Sequence, residues 1–328
     1  MITRRTFVAG QASLIATLAA GGAAAFAQTI TQSARLVVGF PAGGAADTIA
    51  RLLAEQMKDF APKLIVDNKA GAGGRIALES MKTSAADGSA LILTPASMVV
   101  LFPHVYKKLA YDPLKDFTPV TTVCTAPFAL VVGPKVDVSV KSVADLIGWF
   151  KANPNDASFG SPGAGSVPHF AGDKLWRAAG LKIVHVPYKG GAPLVQDVVA
   201  GHLPAAVTVL SSALPLIPSG TLRALAVTGA QRTQFLPDVP TLLEAGYKDG
   251  IAEEWYGVLA PANLPPSLLG RVNEVIRDGI KTKKVLDGFT TFGFTAAGES
   301  PEDFAKLIRT DIERWGPIVK ASGFVPED

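Results

Sequence analysis

The chemistry of this chain concentrates in glycine-rich or proline-marked segments, each set between an apolar run and a helical pattern. Four segments share that setting: Gly39-Phe40-Pro41-Ala42-Gly43-Gly44, Lys69-Ala70-Gly71-Ala72-Gly73-Gly74, Thr94-Pro95-Ala96-Ser97 and Gly160-Ser161-Pro162-Gly163-Ala164-Gly165-Ser166. A helix N-terminus offers unpaired N–H donors and about half a positive charge, so it favours an anion without any cationic side chain. Glycine lets the backbone approach a ligand closely and adopt angles that a Cβ forbids. Any one such segment reads equally well as a tight strand-to-helix turn. Their recurrence favours a shared cleft that holds an anion. No arginine stands out as a carboxylate fork, because Arg51 and Arg75 fall within or at the start of helices, where ion-pair roles are expected.

Enzyme chemistry finds little support in the same residues. Gly71-Ala72-Gly73-Gly74 does not complete a dinucleotide fingerprint, because Ile76 holds the last position. Neither Lys63 nor Lys69 sits in a phosphate-binding loop. Ser166 is flanked by Gly165 and Val167, not by the pattern of a nucleophile elbow. The histidines at 104, 169, 185 and 202 show no metal-ligand spacing with nearby acids. His185 lies between Val184 and Val186 and reads as a structural strand residue. The single cysteine, Cys124, has apolar neighbours and reads as a buried hydrophobe; alone, it forms no internal disulfide. A hydrolase-like α/β enzyme is the remote alternative.

Stepping outward, the elements that must position these loops fall into a repeated beat. The first residues, with Arg4-Arg5 before Phe7, an uncharged apolar stretch from Val8 to Phe26 and Ala25-Phe26-Ala27, have the parts of an export signal. The paired arginines favour the twin-arginine route, with residues 1–27 removed. Lys and Arg total 31 against 28 Asp and Glu, and Arg4 and Arg5 belong to the leader, so the remainder is near neutral. That balance argues against a nucleic-acid surface. A hydrophobic fraction of 48% with only 18% charged residues supports a large core.

Leu36-Val37-Val38, Leu64-Ile65-Val66 and Leu91-Ile92-Leu93 read as strands apolar on both faces. Helices follow at about 45–58, from near Arg75, and after Ser97, which describes a parallel α/β sheet. The beat restarts with strands at 129–132, 157–159, 183–186, 206–209 and 222–227. Between them come a helix capped by Ser142, one carrying Phe170, Leu175 and Trp176, and one carrying Val195, Val198 and Val199. A short helical piece is expected at Thr241–Ala245. The end is a strand at 255–261 and amphipathic helices at about 266–280 and 301–319, the last with Phe304, Leu307, Ile308, Ile312 and Trp315 on one face. This order suits two lobes joined by crossings near 125–130 and 253–258. Lobe one is then discontinuous, residues 28–127 and 256–328, and lobe two is 128–255.

The stretch Gly39-Phe40-Pro41-Ala42-Gly43-Gly44-Ala45-Ala46-Asp47, ending at Ala50-Arg51, resembles the opening signature of the Bug-type extracytoplasmic solute receptors. These are the binding components of tripartite tricarboxylate transporters. The resemblance continues through Asp67-Asn68-Lys69-Ala70-Gly71-Ala72-Gly73-Gly74, Tyr188-Lys189-Gly190-Gly191-Ala192-Pro193, Leu225-Ala226-Val227-Thr228, Leu236-Pro237-Asp238-Val239-Pro240-Thr241 and Glu244-Ala245-Gly246. It implies a periplasmic, two-lobed α/β protein of the type II Venus-flytrap kind, monomeric, without cofactor or metal, closing on a small carboxylate. Membrane permease subunits are the implied partners; a receptor that signals ligand occupancy to a sensor protein is the alternative. The resemblance implies that the Phe40, Pro41, Gly43, Gly44 and Ala45 loop receives one carboxylate through backbone amides and ordered water. Asp47 would orient a ligand amine or a water, or else support the first helical turn. Thr94, Ala96 and Ser97 would line the same lobe. From lobe two, Ser161, Gly163, Gly165 and Ser166 would meet the other end of the ligand, with His169 and Tyr188 as further candidates and Lys189 a solvated charge.

Overall fold

The computed structural model describes residues 30, 33–58, 60–248 and 250–326. The expected export signal at 1–27 lies outside the described residues. The first apolar runs form β1 (Ala34–Val38), β2 (Leu64–Asn68) and β3 (Ala90–Pro95). All three are parallel, with β1 in the middle. Helices α1 (Ala45–Ala54) and α2 (Arg75–Lys82) make the crossovers, so β3, buried at every position, meets apolar neighbours on both faces. A five-residue π-type turn at Ser97–Leu101 and a short helix α3 (Phe102–Val105) follow.

The next element is longer than the sequence reading allows. β4 runs from Phe117 to Val132 without a break, although only 129–132 read as a strand. Pro119 and Pro127 interrupt the apolar run and hide it. Its first part pairs antiparallel with β9 (Glu253–Pro261), ending at Pro127 opposite Glu253. From Phe128 onward it pairs with β7 (Ala205–Val209) and β8 (Arg223–Val227). One strand therefore belongs to two sets of neighbours and changes partners between Pro127 and Phe128.

In the second half, α4 (Val143–Ala152) opens on a full capping box, with Asp145 N donating to Ser142 Oγ and Ser142 N donating to the Asp145 carboxylate. β5 (Ser158–Ser161) pairs in parallel with β6 (Val184–Pro187) and β7. Helices α5 (Val167–Ala178) and α6 (Gly191–Val199) cross between them, and a short α7 (Leu210–Ala213) follows β7. The Thr241–Ala245 segment is a turn, not a helix. Thr241 N donates to Glu244 Oε2 while Glu244 N donates to Thr241 Oγ1, and that reciprocal pair closes it.

The chain ends in α8 (Pro266–Lys281), α9 (Lys283–Phe292), the short β10 (Thr295–Ala296) and α10 (Pro301–Ser322). The helix α9 was not anticipated; it buries only Val285 and Phe289, too few points to show a period. Phe304, Ile308 and Trp315 of α10 are buried as its spacing predicts. Trp255 Nε1 donates to the buried Asp311 Oδ2 at 2.9 Å, fixing α10 to β9. The strand order is β2-β1-β3-β9-β4-β7-β5-β6, with β8 and β10 also on β4. Among the described residues, no helix is long and apolar enough to cross a membrane.

Candidate functional site

Strand direction decides where the glycine-rich loops go. β1, β2 and β3 end together, and Pro95 at the end of β3 lies opposite Tyr256, near the start of β9. β5, β6 and β7 also end together, and Val209 at the end of β7 lies opposite Phe128. Both sets of carboxyl ends thus converge where β4 changes partners, the position at which open α/β sheets bind ligands. The two halves touch there. Val167 N, at the start of α5, donates to Ser97 Oγ at 3.1 Å, and a Cβ on Gly165 would lie 2.9 Å from Val105.

The Phe40 to Asp47 segment is held from inside by one carboxylate. Asp47 is 3% exposed and accepts from Gly43 N (2.9 Å), Arg51 Nε (2.9 Å) and Asn68 Nδ2 (3.0 Å). Asn68 Nδ2 also donates to Phe40 O. Burial acts to raise the Asp47 carboxyl, but the bonds from Arg51, Gly43 and Asn68 outweigh it and hold it below its ordinary value. The Gly43 amide, expected to face a ligand, is therefore spent on Asp47, and Asp47 itself braces the loop. Gly44 caps α1 with no side-chain bond, so among the described residues the amides of Gly44, Ala45 and Ala46 meet no capping group. Phe40 is half-buried against the core, while Pro41 and Gly43 are exposed. Gly39 is required because a Cβ there would lie 2.9 Å from Gly74 Cα, where the two loops cross.

The Thr94 to Ser97 segment turns out differently. Thr94, Ala96 and Ser97 are all buried. Glu254, at the start of β9, lies against the Ala96 and Ser97 amides and the Ser97 hydroxyl, while its Oε1 meets no hydrogen-bond partner among the described residues. The chain's own carboxyl group, kept mostly protonated at neutral pH, lies where a ligand would approach these amides. Burial is the main cause that pushes the Glu254 carboxyl up to about 8.

The Gly160 to Ser166 loop is braced by imidazoles. Ser161 Oγ donates to Gly163 O at 2.9 Å and meets His185 Nε2 at 2.8 Å. Ser166 Oγ also donates to Gly163 O. Gly165 N donates to His169 Nδ1 at 3.1 Å, which leaves the proton of the neutral ring on Nε2, facing Asp173 at 3.4 Å. The His169 and His185 rings stack at 3.6 Å. Burial lowers both, His169 to about 3 with help from neighbouring His185, and His185 to about 4. His169 is 6% exposed and lies beneath the loop. Gly163 and Ser166 stay partly exposed, whereas Ser161 and Gly165 are buried. Tyr188 gives its hydroxyl to Asp197 Oδ2 at 2.6 Å, so its oxygen is engaged away from the loop. Tyr188 N and Gly190 N donate to Ser161 O and Pro162 O, which stitches this loop to the start of α6.

A model of the tripartite tricarboxylate transporter family receptor matches residues 49–324. The chain belongs to that family. It is 33% identical to BugT of Bordetella pertussis over 311 residues, covering 93% of this chain and 95% of that one. Among solved structures it is similar to MatC from Rhodopseudomonas palustris with bound malate, at a TM-score of 0.81 and 27% identity over 88% of this chain and 99% of that one. It is also similar to R. palustris Rpa4515 with adipate, at a TM-score of 0.85 and 31% identity over 90% of this chain and 99% of that one. The receptor therefore has the two-lobed fold of periplasmic binding proteins and is a solute-binding protein, not an enzyme.

Several groups of the receptor escaped the sequence reading. Glu254 stands just ahead of the strand read at 255–261, and nothing local marks it as buried. Asn68, which ties β2 to the Phe40 loop, lay inside a quoted motif without an assigned role. Thr208, near the end of β7, and Ser211, in α7, are at least nine-tenths buried, and their hydroxyls meet no hydrogen-bond partner among the described residues. In an apolar strand a threonine reads as one more β-branched residue, so only the missing partner singles it out.

Proposed function

We propose that this receptor works in the periplasm, captures a small carboxylate between its lobes and delivers it to the membrane permease subunits of a tripartite tricarboxylate transporter. The observation that carries the reading is the start of α1. Its amides have no capping side chain, and its entry loop is fixed by Asp47, Arg51 and Asn68 at the convergence of the strand ends. Such a helix end favours an anion. The adipate and malate in the two R. palustris relatives support a carboxylate as that anion.

In this reading Phe40, Pro41, Gly44 and Ala45 receive one carboxylate, and Gly163 and Ser166 meet the ligand from the other lobe. Asp47, Gly43, Ser161, Gly165 and His169 hold those loops in shape. The first lobe boundary falls between Pro127 and Phe128. The second falls near Tyr256, within the crossing at 253–258, where β9 pairs with the first part of β4. The protein acts as a monomer, exported by the twin-arginine route. A thermal-shift and calorimetric screen of the chain from Gln28 against dicarboxylates, aromatic acids and amino acids tests the reading. A bound carboxylate raises the melting temperature with concentration. Failure of every carboxylate to do so, or turnover of any of them, would overturn it.

A further inference from the structure

The start of α5 is completed by a residue of the other lobe. Its own N-cap, Ser166, donates its hydroxyl to Gly163 O and gives the helix no side-chain bond. The first helical amide, Val167 N, donates instead to Ser97 Oγ, which belongs to the turn after β3. That turn is of the π type, a form that often marks a functional position. A cap supplied from one lobe to the other holds only while the two lobes meet.

Behind Ser97 stands Glu254. It is 4% exposed and sits opposite Ala126, one residue before β4 changes partners. The Ser97 hydroxyl, which accepts from Val167 N, lies against the Glu254 carboxyl group, whose Oε1 has no hydrogen-bond partner among the described residues. The titratable groups that face it are Asp311 of α10 and Tyr256 of its own strand. Asp311 also carries an ion pair with Arg314, and its negative charge adds to the burial that favours the neutral acid. From the other lobe, α5 brings no acid in its first turn, and its His169 is neutral. These surroundings leave the Glu254 carboxyl raised to about 8.

We infer that Ser97 and Glu254 form a proton-linked latch: closing on a carboxylate seats Val167 N on Ser97, seals Glu254 as the neutral acid and takes up one proton from solvent. The inference rests on the carboxylate-capture reading above. Opening withdraws the start of α5 and admits water, so Glu254 returns towards an ordinary carboxyl group and releases its proton. A group with the higher proton affinity in the closed state favours closure in full below its open value. That help is lost as pH rises through its closed value.

Titration calorimetry at pH 7 on the chain from Gln28 tests the latch, with malate, adipate and the tightest binder of the screen above as probes. Runs in phosphate and in Tris count the protons taken up, because the two buffers differ in ionisation heat. Binding should take up about one proton, and affinity should fall about tenfold per unit from pH 6 to 7.5. Glu254→Gln, which keeps the shape of the side chain, should take up no proton and bind with an affinity flat over that range. Ser97→Ala should weaken binding by about tenfold, the scale of a lost helix cap. Wild-type uptake below about a quarter of a proton, or the same uptake in Glu254→Gln, would overturn the latch and leave carboxylate binding standing. If no acid of the screen bound at all, both would fall.

Discussion

The two loops that face one another across the strand ends are braced by opposite electrostatics. In the first lobe the brace is an ionised carboxylate, Asp47, which gathers a backbone amide, an Asn amide and an Arg guanidinium, the last at the surface. In the second it is a pair of neutral stacked imidazoles enclosed by Phe159 and Phe170. The difference follows from solvent. Arg51 is half exposed, so it supplies a cation to Asp47 without itself being buried. Asp173 stands beside His169, but burial outweighs it and keeps both imidazoles neutral. A brace of either kind fixes the backbone so that other amides can meet a ligand.

Removing the second brace should have the largest effect on the fold. His169→Ala deletes a ring packed between His185 and Phe170 and leaves Gly165 N without its acceptor. Urea denaturation should show a loss of about 3 kcal/mol. A loss below about 0.5 kcal/mol would mean that the imidazole stack is ornamental.

Acid should separate the two braces. His169 and His185 titrate at about 3 and about 4 when folded but near 6.5 when unfolded. The unfolded chain therefore binds more protons across that window, and stability falls as pH drops from about 7 to 5, by about 2 kcal/mol for each imidazole. Glu254 works the other way: its carboxyl is raised from 4.5 to about 8, so its contribution is present below the unfolded value and is lost as pH rises towards 8. Asp47 is held below its ordinary value, so its contribution is intact throughout this range and is lost only in stronger acid. Glu254→Gln should unmask the imidazoles, giving a variant whose stability falls more steeply from pH 7 to 5 than that of wild type. Parallel pH profiles for variant and wild type would contradict this assignment.

Much of this architecture was legible in the chain. Apolar runs bounded by glycine marked the parallel strands, Ser142 with Asp145 marked a helix start, and the spacing of Phe304, Ile308 and Trp315 marked a buried face. Contacts that exist only after strand pairing were not legible. His169 and His185 meet because β6 lies beside β5 and α5 packs upon them, an adjacency that no local spacing encodes. Glu254 reaches the Ala96 and Ser97 amides only because β9 returns antiparallel to β3. That return turned one of the four glycine-rich or proline-marked loops from a ligand cradle into an internal joint. In the Phe40 to Gly44 loop the internal carboxylate of Asp47 takes only Gly43 N, and Gly44 gives α1 no side-chain cap.

Gly44→Val tests that loop most directly. Gly44 has an extended backbone, φ −82°, and a Cβ there would meet nothing nearer than Pro41 O at 3.6 Å, so the variant should fold with an unchanged melting temperature. Its isopropyl group would stand over the first amides of α1. Calorimetry with the carboxylate that binds wild type most tightly should show a loss of about a hundredfold or more, the scale of two charge-assisted hydrogen bonds. Unchanged affinity in a folded Gly44→Val protein would contradict the assignment of the carboxylate to the start of α1.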